Sequence, residues 1–266
     1  MKKHVNGTDI FVQDQGQDLG APLILLHGFP LDHRMWQAQV ESLSPHYRVI
    51  TPDFRGMGQS DLPTGTMSLH AYAQDILALM DALNIEKATL GGFSMGGYVA
   101  FALLRLAPER FSALILANTR AEGDGPEGRK NRMNMAASLY EKGAAAARDA
   151  MLPKLVTAET VKGQPQLIDN LRTIMDSMPA EGLVHASIAM AFREDSVKLL
   201  PAIQVPTLVI AGEQDAIAPP DVMKTMADHI PGASFHVIPG ASHLTPMETP
   251  AAFNKLLHAF LKETTV

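Results

Sequence analysis

Short apolar segments alternate along the chain with longer segments whose apolar residues recur at helical spacing. The short segments are apolar and partly β-branched, which predicts strands covered on both faces, as in a parallel sheet. They span 22–27, 47–51, 88–93, 113–118, 206–212 and 233–238. The longer segments predict helices over 69–83, 95–106, 220–229 and 249–262. Asn6-Gly7 predicts a hairpin turn ahead of this series. The regular alternation predicts βαβ units in an α/β protein.

The alternation stops between about Arg120 and Lys198, where strand signals are few and helix formers many. Helical patterns there cover 130–141, 144–152, 166–178 and 180–192. We therefore expect a core domain of residues 1–120 and 197–266, with a helical cap of residues 121–196 over the carboxyl edge of its sheet. The cap methionines fit two uses, lining a substrate pocket or filling the cap interior. These are Met133, Met135, Met175, Met178 and Met190.

Ser94 lies between a predicted strand and a predicted helix, in Gly92-Phe93-Ser94-Met95-Gly96. A Gly-x-Ser-x-Gly in this context is typical of a nucleophile elbow, a sharp turn that holds the serine hydroxyl clear of the sheet. Serine is a weak nucleophile at its own pKa, so the motif predicts a histidine base and an acid elsewhere. The alternative is a turn eased by glycine with a capping serine.

The acid and the base are predicted at the ends of the last two strands. Asp215 follows the strand at 206–212, and His243 follows the strand at 233–238. Asp215 would orient the imidazole, and His243 would take the serine proton. Glu213 and Asp221 are rival acids, and either Asp215 or His243 could instead be an ordinary loop residue.

Two backbone N–H groups are predicted to stabilise the oxyanion of the tetrahedral intermediate. One is that of Met95, directly after the serine, and the other is that of Phe29, in His27-Gly28-Phe29-Pro30 after the first apolar strand. We expect His27 to shape this loop rather than to act on substrate.

Other site types are disfavoured by the residues present. His27, Asp32 and His33 loosely resemble a metallohydrolase cluster, but Phe29 stands where a further histidine would be needed. The glycine-rich run at 91–97 has no Gly-Lys-Ser/Thr, so it is not a phosphate-binding P-loop. The segment 53–60 has Gly-x-Gly without the third glycine of a dinucleotide fingerprint, and we expect a tight loop near the site.

Composition and charge exclude several classes of site and partner, but they do not identify a substrate. The chain has 266 residues, no cysteine and a formal net charge of −6, which excludes disulfides and thiol nucleophiles and argues against a nucleic-acid surface. The N-terminal stretch has two lysines but no apolar segment behind them, and no apolar run is long enough to span a bilayer. We expect a cytoplasmic protein without a membrane or nucleic-acid partner.

Five motifs together resemble the α/β-hydrolase superfamily over essentially the whole chain. They are HGFP at 27–30, DFRGMGQS at 53–60, GFSMGG at 92–97, GEQD at 212–215 and GASH at 240–243. Within the superfamily the chain is similar to the branch of 3-oxoadipate enol-lactonases, the pimeloyl-carrier-protein methyl esterase and small carboxylesterases. LILANTRA at 114–121, GRKNR at 128–132 and MAFREDS at 190–196 look like the enol-lactonase subgroup.

The resemblance implies an α/β-hydrolase fold with an eight-stranded, mostly parallel sheet, a helical cap and no cofactor. It also implies a serine hydrolase whose substrate is a small-molecule carboxylic ester or lactone. A cofactor-free perhydrolase and a carbon–carbon bond hydrolase remain open, since the same three side chains serve them. So does a ligand-binding receptor without useful turnover. The sequence leaves the oligomeric state open.

Overall fold

An eight-stranded sheet lies at the centre of the structure, a computed structural model that describes residues 1–16 and 20–264. The strands are β1 Lys2–Val5, β2 Thr8–Gln15, β3 Pro22–Leu26, β4 Arg48–Pro52, β5 Ala88–Phe93, β6 Phe111–Ala117, β7 Thr207–Gly212 and β8 Ser234–Ile238. Their order is β1-β2-β4-β3-β5-β6-β7-β8. β1 and β2 are antiparallel to their neighbours, and all later pairs are parallel. The predicted α/β-hydrolase fold is confirmed.

The pattern of apolar residues explains which strands lie inside the sheet. Every residue of β5 and of β7 is buried, as their unbroken runs of small and apolar residues predict. β8 forms an edge and leaves most of its residues partly or fully exposed. At the other edge, Asn6 and Gly7 have φ of 48° and 71°, the left-handed conformation that a tight hairpin between β1 and β2 requires.

Helices flank the sheet and connect its parallel strands. They are α1 Gln37–Leu43, α2 Leu69–Ala82, α3 Met95–Leu106, α9 Pro220–Asp228, α10 Thr245–Glu248 and α11 Pro250–Thr264. α2 packs on α3, and α1 packs on α11. The four helices predicted in this part of the chain are present as α2, α3, α9 and α11. The sequence patterns did not predict α1 or the four-residue α10.

Between β6 and β7 the chain forms five α-helices and no strand within the described residues. They are α4 Pro126–Lys142, α5 Ala145–Leu155, α6 Ala158–Gly163, α7 Pro165–Asp176 and α8 Ala180–Ala191. α4 packs along α8, and α5 contacts both α4 and α7. The four predicted cap helices are present, and the short α6 is additional. The division into a core domain and a cap as separate units stays a prediction.

The cap helices contact loops that follow the carboxyl ends of the parallel strands. α8 approaches the loop after β4 so closely that a Cβ on Gly182 would collide with the backbone of Gly56. Arg34, after β3, donates through Nη2 to Ser177 Oγ at 2.6 Å. The cap is therefore placed over the carboxyl edge, where the candidate site lies. No helix of residues 1–16 and 20–264 has the length and apolar character needed to cross a membrane.

Candidate active site

Ser94 forms the sharp turn between β5 and α3. Its backbone has φ 52° and ψ −113°, which is uncommon for a residue with a side chain and signals local strain. A Cβ on Gly92 would lie 2.6 Å from the carbonyl oxygen of Gly96, and a Cβ on Gly96 would collide with the Leu26 carbonyl. Only glycines fit at these two positions, so they allow the helix to start against the sheet.

The Ser94 hydroxyl points toward a histidine and makes no capping bond to its own helix. Its Oγ lies 3.0 Å from Nε2 of His243, although Ser94 occupies the N-cap position of α3. The backbone is held by other groups, since Ser94 N–H donates to Ala117 O at 3.0 Å and Thr119 Oγ donates to Ser94 O at 2.8 Å. These bonds fix the backbone of the turn, and the Ser94 hydroxyl remains available to react.

His243 is 1 % exposed and reaches Ser94 and Asp215 with its two ring nitrogens. Its Nδ1 lies 2.8 Å from Asp215 Oδ2. A carboxylate on Nδ1 favours the tautomer whose proton is on Nδ1, which leaves the Nε2 lone pair facing the serine. The structure therefore brings the three predicted side chains, Ser94, His243 and Asp215, into one hydrogen-bonded chain.

Asp215 is buried and surrounded by hydrogen-bond donors. Oδ1 accepts from the N–H groups of Ile217 and Ala218 at 2.8 and 3.0 Å, and Oδ2 accepts from Asn118 Nδ2 at 2.9 Å. Burial on its own would raise the pKa of Asp215, but the hydrogen bond and charge of His243, with the Ala218 and Asn118 donors, outweigh it and lower the pKa. The Asp215 carboxylate is therefore ionised and can stabilise a protonated His243.

The predicted oxyanion donors belong to two segments that meet at Ser94, the start of α3 and the loop after β3. Met95 is the first residue of α3, where a helix offers its N–H groups no acceptor of its own. Gly28 lies against the elbow, since a Cβ on it would come within 3.1 Å of Ser94 Cβ. Phe29 follows in the turn that the Leu31 N–H closes on Gly28 O at 2.9 Å. The roles of the Phe29 and Met95 N–H groups stay predictions.

His27 is fully buried and contacts both the loop after β3 and the loop after β4. Its Nε2 accepts the N–H of Phe54 at 3.1 Å, and its Nδ1 lies 3.1 Å from Gly28 O. Burial lowers the pKa of His27, while the carboxylate of Asp53 and the Gly28 carbonyl oppose that shift without reversing it. A neutral ring that donates from Nδ1 and accepts at Nε2 matches both neighbours, in agreement with a loop-shaping role.

The rival residues lie elsewhere. Glu213 is exposed, and its Oε2 accepts the Gly240 N–H at 2.8 Å. Asp221 is exposed in the first turn of α9. Neither is a hydrogen-bond partner of His243, whose ring nitrogens are taken by Ser94 and Asp215.

The loop after β4 folds around the carboxylate of Asp53. Oδ1 accepts from the backbone N–H of His33 at 2.8 Å and lies 2.7 Å from His33 Nδ1, while Oδ2 accepts from Gln59 N–H at 2.9 Å. Asp32, His33 and Asp53 place one potential metal-ligand atom each within 4.8 Å of one another. However, Arg34 takes both oxygens of Asp32. We interpret these carboxylates as the groups that shape the loop.

Two buried residues of the site were not predicted. Asn118 donates to Asp215 and accepts from Thr245 Oγ1 at 2.6 Å, with a left-handed φ of 47°. Its place at the carboxyl end of β6 was the available signal. Glu248 accepts the N–H of Ser242 at 2.7 Å, next to His243. The sequence did not mark Glu248, because its other two side-chain partners, Thr157 and Thr160, lie about 90 residues away in the chain.

The cap residues proposed for the pocket divide by exposure. Met175, Met178 and Met190 are buried, Met135 is partly buried, and Met133 is 42 % exposed. Met178 contacts the loop after β4, since its sulfur lies 3.5 Å from Gly58 N. The lining of a substrate pocket by cap methionines stays a prediction.

Comparisons with known proteins identify the family of this fold. The model of the α/β-hydrolase fold family matches residues 21–250. The chain is 33 % identical to 3-oxoadipate enol-lactonase 1 of Acinetobacter baylyi over 96 % of this chain and 94 % of the relative. It is 30 % identical to a putative non-heme chloroperoxidase of Synechocystis over 96 % and 95 %.

Among solved structures, a thermophilic esterase from Thermogutta terrifontis superposes with a TM-score of 0.96 and 40 % identity. The match covers 100 % of this chain and 99 % of the esterase. Sequence and backbone similarity thus extend over the sheet, the elbow and the cap helices together, and the chain belongs to the α/β-hydrolase fold family.

Proposed function

We propose that this hydrolase cleaves a carboxylic ester or lactone through Ser94, His243 and Asp215, with an acyl-enzyme intermediate. The observation that carries the proposal is the hydrogen-bonded chain from Ser94 Oγ through His243 to Asp215. It supplies a nucleophile, a base within reach of the nucleophile's proton, and a carboxylate that orients the base. The enol-lactonase and esterase among its relatives support the ester or lactone class.

The reaction divides into two steps that use the same groups. Ser94 Oγ attacks the carbonyl carbon while His243 Nε2 takes its proton, and the N–H groups of Phe29 and Met95 stabilise the oxyanion. His243 then gives the proton to the leaving alkoxide as the carbon–oxygen bond breaks. In the second step water attacks the acyl carbon while His243 takes its proton. The bond from the acyl carbon to Ser94 Oγ then breaks, His243 returns that proton to Oγ, and the acid is released. In a lactone the leaving alkoxide stays attached to the acyl chain.

Perhydrolysis is a second candidate, supported by the similarity to a putative chloroperoxidase. Hydrogen peroxide would replace water in the second step and release a peracid, so the acyl-enzyme is common to both reactions. The two differ only in which nucleophile reaches the acyl carbon.

The test is hydrolysis of p-nitrophenyl esters, from acetate to long acyl chains, followed by small lactones and by the same esters with hydrogen peroxide. Ser94→Ala should lower kcat/KM by about 10⁴-fold or more, with the circular dichroism spectrum unchanged. Ser234→Ala, which alters an exposed serine on β8, serves as the matched control and should match the wild type. Equal rates in Ser94→Ala and the wild type would refute the proposal. If the wild type is folded but inactive on all these substrates, the result would favour carbon–carbon bond hydrolysis or a ligand-binding receptor instead.

A further inference from the structure

His243 is flanked on both sides by backbone hydrogen bonds that lead to the cap. The N–H of Ser242 donates to Glu248 Oε2 at 2.7 Å. The N–H of Leu244 donates to the carbonyl of Leu155, at the end of α5, at 2.8 Å. The two chain neighbours of the histidine are therefore each held by a bond that involves the cap or a residue bonded to it.

Glu248 joins the segment that carries His243 to the cap. Its side chain is buried, with the residue 4 % exposed. While Oε2 binds the histidine loop, Oε1 accepts the N–H of Thr157 at 2.7 Å and the hydroxyl of Thr160 at 2.8 Å. One carboxylate thus bridges the segment that carries His243 and the start of α6.

The cap residues 155–164, which we name the docking segment, are ordered around this carboxylate. Thr157 Oγ1 caps α6 by accepting the Thr160 N–H at 3.0 Å, and it donates to Thr160 Oγ1 at 2.9 Å. Gln164 Nε2 donates to the backbone carbonyl of Glu248 at 3.2 Å. The docking segment therefore lies along α10 with several polar contacts, and Glu248 receives three of them.

Short bonds to a buried carboxylate are stronger and more directional than bonds between neutral groups. If the docking segment moves, Glu248 Oε1 loses its two hydrogen-bond donors. Leaving a buried carboxylate partly unpaired is costly, so its remaining contact must then rearrange. That remaining contact is the Ser242 N–H, one residue from His243. A displacement of the docking segment is thus transmitted to the residue whose Nε2 must stay 3.0 Å from Ser94 Oγ.

We propose that Glu248 is a positioning residue that couples the seating of the docking segment to the alignment of His243 with Ser94. The inference rests on the proposed function, because it concerns the base of that reaction. It makes the docking segment part of the catalytic geometry: the base is aligned when residues 155–164 are seated on Glu248.

The test removes the Thr160 hydroxyl with Thr160→Val, which breaks its bond to Glu248 Oε1 and the bond that it accepts from Thr157 Oγ1, both on the cap side. The variant keeps the shape of the side chain and the Ser242 contact but deprives Oε1 of one donor. The base acts in both steps, so kcat should fall by about tenfold with KM within about twofold, since small misplacements of reacting groups are costly. The rate at which a fluorophosphonate modifies Ser94 should fall in parallel, because that reaction also needs the serine proton removed as fluoride leaves.

Three further variants separate alignment from a general loss of packing. Thr160→Ser restores the hydroxyl and should recover most of the wild-type rate. Thr173→Val, which removes an exposed hydroxyl bonded to the Asp169 carbonyl on α7, should leave both rates unchanged. Glu248→Gln places an NH₂ group against at least one of the three donors and should lower both rates by about a hundredfold.

The outcomes also distinguish this inference from the proposed function. If the wild type reacts with the fluorophosphonate at Ser94 and Thr160→Val reacts at the same rate with only a lower melting temperature, Glu248 has a structural role and the coupling is wrong. If Thr160→Ser is as slow as Thr160→Val, the hydroxyl is not the operative contact, and the proposal is equally overturned. If the wild type neither hydrolyses esters nor reacts at Ser94, the proposed function itself fails.

Discussion

The sheet core and the cap differ in how their side chains are held. In the core, β5 and β7 are buried at every position, and the loops after β5, β7 and β8 carry Ser94, Asp215 and His243. In the cap, α4 has 17 residues and buries only Ala136 and Leu139, so it rests on α8 as a surface helix. The core strands thus carry the three site residues, and the cap covers the edge of the sheet where those residues meet.

Several kinds of contact join the two regions. Backbone meets backbone at Gly56 and Gly182, and a cap hydroxyl accepts from Arg34. The docking segment meets Glu248. Because Ser94, His243 and Asp215 all lie in the core, changes to them should lower rates for all substrates. Changes where the cap meets Gly56 or Arg34 should instead alter stability and the preference among acyl groups, whereas a change at the Glu248 contact should lower kcat.

The largest effect is expected from the core, with Asp215→Asn. The amide would present either an N–H to His243 Nδ1 or an oxygen without negative charge, so the imidazole loses its tautomer control and its counter-charge. We expect kcat/KM to fall by about 10⁴-fold for every ester tested. Stopped-flow and steady-state assays on the p-nitrophenyl series measure this.

Glu213→Gln is the matched control, since Glu213 lies two residues away, carries the same kind of group and is exposed. It should keep kcat/KM within about twofold of the wild type, as expected for a surface substitution. If Glu213→Gln were the slow variant and Asp215→Asn the fast one, the assignment of the acid would be wrong.

A smaller effect is expected where the cap meets the core, with Gly182→Ala. The added Cβ would collide with Gly56 O, so α8 or the loop after β4 must shift. We expect a loss of about 1–3 kcal/mol in the free energy of unfolding. The ratio of rates between short and long acyl esters should also change. Urea unfolding and the ester series measure the two effects.

The comparison variant is Gly163→Ala at the end of α6, where a Cβ meets nothing within 4 Å. Alanine is favoured over glycine in a helix, so this change should be neutral or stabilising by up to about 1 kcal/mol. Equal destabilisation by both substitutions would show that the close approach of Gly182 and Gly56 is not what holds α8.

The smallest effect concerns His27 beneath the oxyanion loop. Burial keeps the folded-state pKa of His27 below its ordinary value of 6.5, so just below pH 6.5 the unfolded chain binds this proton more readily than the folded one. The free energy of unfolding should therefore decrease as the pH falls from 6.5 toward the folded-state pKa. A single titrating group changes the free energy of unfolding by at most about 1.4 kcal/mol per pH unit.

His27→Gln removes that titration and should flatten the slope, whatever its effect on stability at neutral pH. His70→Gln, at an exposed position of α2, serves as a control for the same substitution elsewhere in the chain. Urea unfolding between pH 7.5 and 5 compares the three proteins. An unchanged slope in His27→Gln would contradict a neutral buried ring.

The sequence predicted the core well because its signals are local. Long buried strands, the elbow glycines and the hairpin at Asn6-Gly7 each follow from a few adjacent residues, and the strand ends place the three site residues at one edge. α1, α6 and α10 were not predicted, since elements of four to seven residues give too few turns for a periodic pattern.

The remaining parts of the site depend on contacts between distant segments. Asn118 binds Asp215 and Glu248 binds Thr160, partners that lie 97 and 88 residues apart in the sequence. Whether a cap methionine faces substrate or its neighbours depends on how five helices pack. Periodicity shows that such a side chain is buried on one face, and only the fold shows what covers it.

The central claim is that Ser94 carries the acyl group during turnover. A p-nitrophenyl carbamate tests it most directly, because the carbamoyl group transferred to a serine is released slowly enough to be located by peptide mass spectrometry. The account predicts one carbamoyl group per chain on the peptide containing Ser94, with an equal amount of p-nitrophenol released and no labelling of Ser94→Ala. Stoichiometric labelling at another residue, or labelling that persists in Ser94→Ala, would contradict it.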